Sequence, residues 1–202
     1  MDRKLILRFA QDDKLRLEEF MQKLLLFIFT LFFLNFNSCA LPKVNENILS
    51  YKIYGTTGHE LQNQMNTVGP KNRTHQFNAS TQWFVTWNYG YQSTKNSCHL
   101  TSLEVNLHIF YLLPIWMNYK NSHAGLQKRW GLCFKQLRNH EAGHGENGKK
   151  AAIVIEKALL KVSPQSSCDQ LKTKIDTIAN QIINDYLSKD LEYDKFTQHG
   201  RV

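Results

Sequence analysis

"TQWFVTWNYGYQ", residues 81–92, alternates along most of its length: Trp83, Val85, Trp87, Tyr89 and Tyr91 fall on one face, with Gln82, Thr86 and Asn88 on the other. A period of two marks a half-buried strand, because successive side chains of an extended chain point to opposite sides. Beyond the polar turn "STKNS" (93–97), "HLTSLEVNLHIFYLLP" (99–114) alternates again, with Leu103, Val105, Leu107, Ile109, Tyr111 and Leu113 facing one way. So short a polar connection predicts an antiparallel hairpin. Its apolar face needs a cover.

The cover lies downstream. From about Gly125 to Lys161, Trp130, Phe134, Leu137, Ala151, Ile155 and Leu159 recur at helical spacing. After Pro164 a second helical stretch, about Cys168 to Leu187, carries Leu171, Ile175, Ile178, Ile182 and Ile183. Upstream, "YKIYG" (51–55) reads as a short strand and "TTGHELQNQMNTVGP" (56–70) as a threonine-capped helix stopped by Gly-Pro. Strands followed by helices predict an α+β fold, a small antiparallel sheet packed on two or three helices. With 202 residues, 42% of them hydrophobic, the chain has material for one core.

The first 40 residues stand apart from that core. "MQKLLLFIFTLFFLNFNSCALP" (21–42) places a lysine before an apolar run from Leu24 to Leu34 and then small residues, the layout of a secretory signal peptide. The run is too short for the roughly 20 residues that span a bilayer. The charged stretch before Met21 lacks leader character, so translation is expected to start at Met21. Residues 1–40 are therefore read as a leader and 41–202 as one domain. Ser38 and Ala40 suit cleavage after Ala40, while "FNSC" offers an imperfect lipoprotein box ending at Cys39. Either route exports the chain to the periplasm or beyond, without a membrane span in the mature form.

Export places the remaining thiols in an oxidising compartment. Cys133 sits in the apolar pattern of the long helix and reads as a buried thiol, which leaves Cys98 and Cys168, both in turn-like contexts, as the bridge. Residues 41–202 hold 19 Lys and Arg against 12 Asp and Glu, and much of the excess lies on one helix, at Lys128, Arg129, Lys135, Arg138, Lys149, Lys150, Lys157 and Lys161. Such a face is ordinarily solvated, and its sharper reading is attraction to an anionic substrate or envelope surface. Export and the lack of a recognition motif argue against nucleic acid.

The same helix carries "RNHEAGHGEN" (138–147). His140 and His144, four residues apart, project from nearly one face of a helix, so two imidazoles can reach one ion. Glu141 points aside, where its carboxylate can take a proton from water activated by the metal. This composition in random order would give an H-E-x-x-H in about one chain in a hundred. Gly143, Gly145 and Gly148 each cost a helix interior about 1 kcal/mol relative to Ala, which suggests either a close approach to the motif face or a helix break near 145. Zinc in such a site takes a third protein ligand and keeps one position open. Position 150, where an extended motif has its third histidine, is Lys150, and Glu156 lies too far along the helix. Asp190, Glu192, Asp194 and His199 remain, in a tail that otherwise reads as a frayed terminus. Tyr193 is the nearby candidate for oxyanion stabilisation. His59, His75, His99, His108 and His123 read as surface residues.

The order of these segments, from "GTTGHEL" (55–61) through "CHLTSLEVNL" (98–107), Leu113-Pro114, Trp116, Trp130, "HEAGH" (140–144) and Cys168 to "YDKFTQHG" (193–200), resembles a family of secreted bacterial proteins described as predicted zinc-dependent proteases. The resemblance implies a small zincin-like exported peptidase that holds Zn2+ through His140 and His144, uses Glu141 as catalytic base and cleaves peptide or protein substrates. It also implies a Cys98–Cys168 pair and places the family's tail histidine at His199, as third ligand. Rival readings are a zinc-holding or envelope-binding protein without turnover, and an amidase acting on cell-wall peptides.

Overall fold

The computed structural model describes residues 41–71 and 76–200. The leader read over 1–40, with its start, cleavage and lipidation alternatives, lies outside them, as does His75. From Leu41 onward the chain gathers into one compact unit. Among the described residues no helix is long and apolar enough to cross a membrane.

The chain begins with strand β1 (Lys43–Ile53) and helix α1 (Gly58–Val68), then forms the hairpin of β2 (Ser80–Thr94) and β3 (Ser97–Trp116). The hairpin is antiparallel, as its alternation requires, with Ser80 opposite Leu112 and Thr94 opposite Ser97. The sheet as a whole is mixed and not purely antiparallel, because β1 runs parallel to β3 on its other side, making β3 central and β1 and β2 the edges. β1 also starts at Lys43, earlier than expected at Tyr51. Residues Lys43–Ser50 are all exposed, so this edge has no buried alternation to betray it. Along β2, Trp83 and Val85 are buried and Trp87 and Tyr89 half-buried; Tyr91 keeps to the same face, its ring 6.5 Å from that of Tyr89, but is exposed where the register shifts between Gly90 and Tyr91.

Helix α1 starts on a capping box. Thr57 Oγ1 accepts from Glu60 N at 3.2 Å, and Glu60 Oε2 accepts from Thr57 N at 3.2 Å. Its Leu61 and Met65 pack with Ile53, Trp116 and Leu126 in a small second core.

Two long helices cover the sheet. Helix α2 (Ala124–Leu159) is continuous, and α3 (Cys168–Thr197) runs ten residues past the Leu187 expected from apolar periodicity. Val105, Leu107, Ile109, Ile155, Leu159, Leu171 and Ile175 form the centre of the core between them and the sheet. Instead of breaking α2, its glycines admit aromatic rings. A Cβ at Gly143 would stand 2.3 Å from Tyr193 Oη, one at Gly145 2.1 Å from Tyr111 Oη, and one at Gly148 2.8 Å from Trp83 Cγ. Gly148→Ala is expected to destabilise the protein by about 1–3 kcal/mol despite the better helix propensity of Ala, because the Trp83 atoms it meets are next to the strand backbone and cannot swing away. Thermal unfolding measures it.

Cys98 and Cys168 form a disulfide, tying the start of β3 to the first residue of α3. Two backbone hydrogen bonds between Cys98 and Gln165, of 2.7 and 2.9 Å, flank it. Cys133 is exposed and not buried as expected, since the inward positions on this stretch of α2 belong to Phe134 and Leu137. Replacing Cys98 and Cys168 by Ser should lower stability by about 2–4 kcal/mol. Urea unfolding reads this directly.

Candidate metal centre

Helices α2 and α3 run antiparallel past the motif, Asn147 meeting Asp190 while His140 meets Thr197. His140 and His144 are both buried, with their Nε2 atoms 3.3 Å apart. Asp194 brings Oδ1 to 3.2 Å from His140 Nε2 and 3.0 Å from His144 Nε2. Candidate ligand atoms of all three residues lie within 4.8 Å of one another, so the group could hold a metal ion. Lone-pair bearers this close repel unless positive charge stands among them.

The outer nitrogens are held so that the inner ones face the group. His144 Nδ1 lies 3.0 Å from Asp190 Oδ1; a carboxylate only accepts, so the imidazole donates from Nδ1 and turns Nε2 inward. Thr197 spends its own proton on Tyr193 O at 2.7 Å, so its Oγ1 accepts from His140 Nδ1 at 3.0 Å and fixes that ring the same way. Tyr193 stacks on the His140 ring, centroids 5.2 Å apart at 9°, and meets His144 edge-on. This is the arrangement in which a partner behind each imidazole sets its tautomer and angle for a cation.

Asp190 is itself tied by Trp83 Nε1 and Asn147 Nδ2, each donating at 2.7 Å. Burial opposes its charge, but the hydrogen bonds from His144, Asn147 and Trp83 prevail and hold its carboxyl below the ordinary value. Burial likewise works against a charged His144, yet the hydrogen bond to Asp190 and the charges of Asp194, Asp190 and Glu141 raise its pKa. His140 titrates lower than usual, first through burial and then through the facing His144.

Glu141 lies beside this group, buried. Thr81, near the start of β2, brings Oγ1 to 2.7 Å from Glu141 Oε2 and 3.0 Å from Glu141 O. No hydrogen bond from the described residues occupies Oε1. Burial raises the Glu141 pKa, against the hydrogen bond from Thr81. A cavity of about 380 Å³ includes His140, Glu141, His144, Asp190, Asp194 and His199 in its lining.

The expected fraying of the tail does not occur before Gly200. Gln198 and His199 take positive φ, 48° and 54°, and His199 N donates to Asp194 O at 3.0 Å, closing α3. His199 lines the cavity with Nδ1 3.4 Å from Asp194 Oδ1 and its ring 5.9 Å from that of Phe77. Asp194 is the third member of the group that could hold a metal ion, and His199, expected as third ligand, stands beside it. Gly200 presses on His140, where a Cβ would come within 3.1 Å of His140 Cβ. Glu192 is exposed, and Glu156 is buried farther along α2. Tyr193 lies over Gly143 and stacks on His140. Of the remaining histidines, His123 caps α2, its Nδ1 accepting from Gly125 N at 3.0 Å.

Thr81, and the roles of Asp190 and Thr197 behind the histidines, escape the sequence patterns. The α3 residues do leave a signal: Asp190, Tyr193, Asp194 and Thr197 stand at i, i+3, i+4 and i+7, a helical stripe written in polar residues.

A family model described as "Bacterial protein of unknown function (DUF922)" matches residues 48–200. No curated protein and no solved structure matches the chain.

Proposed function

The chain belongs to this bacterial family of unknown function, and we propose that it is a zinc-dependent peptidase acting outside the cytoplasm. The observation that carries the reading is Glu141, a buried carboxylate held by Thr81 beside two histidines already oriented for a cation. A site that only stores metal has no use for it. His140, His144 and Asp194 would hold the ion, with Asp190 and Thr197 fixing the two rings from behind. Bound there, zinc supplies Lewis acidity toward a carbonyl and lowers the pKa of water toward neutrality.

The chain's own part is proton handling and placement. Glu141, with Oε2 anchored, takes the proton of the attacking water on Oε1 and passes it to the departing amine nitrogen as the peptide C–N bond breaks. β2 is an edge strand, and its first residues, Ser80 and Thr81, line the cavity, so an extended peptide can lie along it by strand addition.

Cleavage of an unfolded protein substrate, abolished by a chelator and restored by zinc, is the expected result. A protein that binds about one zinc per chain and cleaves neither proteins nor cell-wall peptides would be a metal-holding protein instead. Asp190→Asn should lower zinc affinity about 10- to 100-fold, because the carboxylate behind His144 is lost while the ligands remain. Chelator competition measures that change.

A further inference from the structure

We propose that the part of the cavity built by α1 and residues 76–78 is a subsite for a primary carboxamide, the side chain of asparagine or glutamine in a polypeptide. This deepens the peptidase reading and rests on it. Asn66, Gln76 and Asn78 all line the cavity that contains Glu141 and the metal group.

Their hydrogen bonds decide which ends are free. Gln62, which is not part of the lining, donates from Nε2 to Asn66 Oδ1 at 2.9 Å and to Asn78 Oδ1 at 3.3 Å. Both oxygens are thereby engaged from outside, and no hydrogen bond to a described residue takes the two Nδ2 groups, which are the donors. Gln76 is arranged the opposite way: its Nε2 is spent on Gly69 O, which leaves Oε1 as an acceptor. Two N–H donor groups and one carbonyl acceptor complement a group that both accepts and donates, as a carboxamide does.

The wall is built rather than loose. Phe77 N donates to Pro70 O at 2.8 Å, Asn78 O accepts from Tyr51 Oη, and Gln62 and Asn66 share one face of α1 at i and i+4. Other ligand classes fit worse. A carboxylate would set an oxygen against Gln76 Oε1, with no lysine or arginine among the described lining residues to hold its charge. An ammonium, which only donates, would meet the two asparagine N–H groups with Gln76 Oε1 as its one acceptor there. An apolar side chain would strip water from amides and leave them unpaired, the penalty by which polar sites reject apolar analogues.

The test uses alanine-based hexapeptides, N-acetylated and closed with an N-methylamide so that no other primary amide is present. Gln, Leu, Glu or Lys is placed at each position in turn. Cleavage by the zinc-loaded protein is measured beside calorimetric binding to zinc-loaded Glu141→Gln protein. At one position Gln is expected to exceed the other three about tenfold in kcat/KM, the worth of one good hydrogen bond. The Gln-to-Leu ratio should fall toward one in Asn78→Ala and in Asn66→Ala, with zinc content and circular dichroism as in the parent. Equal cleavage of all four series overturns the subsite and leaves the peptidase standing. A Gln preference in binding with no cleavage keeps the subsite and overturns the peptidase. Neither cleavage nor a Gln preference in binding overturns both.

Discussion

Glu141→Gln is expected to lower peptide cleavage about a thousandfold while zinc content and unfolding temperature stay near those of the parent, the scale on which a positioned general base contributes. The substitution keeps the shape of the side chain and the hydrogen bond from Thr81 Oγ1 while removing the basic oxygen that faces the cavity. Because Glu141 is buried and its pKa raised by that burial, a neutral amide is no harder to bury than the carboxylate it replaces. Metal analysis by elemental assay and steady-state kinetics on the same preparation separate the two effects. Cleavage within a few-fold of the parent would remove Glu141 from the chemistry, and loss of zinc would recast it as part of the metal group.

The second large effect concerns the ligands. His140→Ala, His144→Ala and Asp194→Ala should each reduce zinc to background after dialysis, since each removes one of the three converging atoms and leaves the others crowded without a cation. His199→Ala is expected to retain zinc. Its imidazole stands 3.4 Å from Asp194 Oδ1, beside the group, and is largely exposed. Zinc lost from His199→Ala and kept in Asp194→Ala would exchange their roles and restore the tail histidine as third ligand. The four variants therefore decide the coordination set whatever the substrate proves to be.

How much of this is legible in sequence follows from which forces shape each part. The hairpin announces itself because one face of the sheet is packed: Val105, Leu107 and Ile109 alternate with less buried neighbours, and water enforces the period. The length of α2 is legible for a similar reason, in Ile155 and Leu159. β1 escapes until Tyr51 because its first residues pack nothing. The candidate metal-ligating histidines stand out through spacing alone, four residues on one helix. Their supports do not, because Thr81 is 60 residues and Asp190 is 46 residues from the groups they hold, and only the fold brings them together. Gly143, Gly145 and Gly148 are ambiguous in sequence between contact and breakage. The rings of Tyr193, Tyr111 and Trp83 settle it for contact, and each comes from a different element.

The last three turns of α3 present polar Asp190, Tyr193, Asp194 and Thr197 toward α2, while Leu187, Leu191 and Phe196 are exposed. That helix end is inside out by the usual measure. Its register is set by electrostatics rather than by oil, whereas its first turn is fastened covalently at Cys168. If His140, His144 and Asp194 hold a cation as proposed, ligation and the ordering of residues 188–200 form one equilibrium, and part of the binding free energy goes to keeping this segment coiled. Under the proposed zinc reading, loss of the ion would loosen the end of α3 as well as empty the centre.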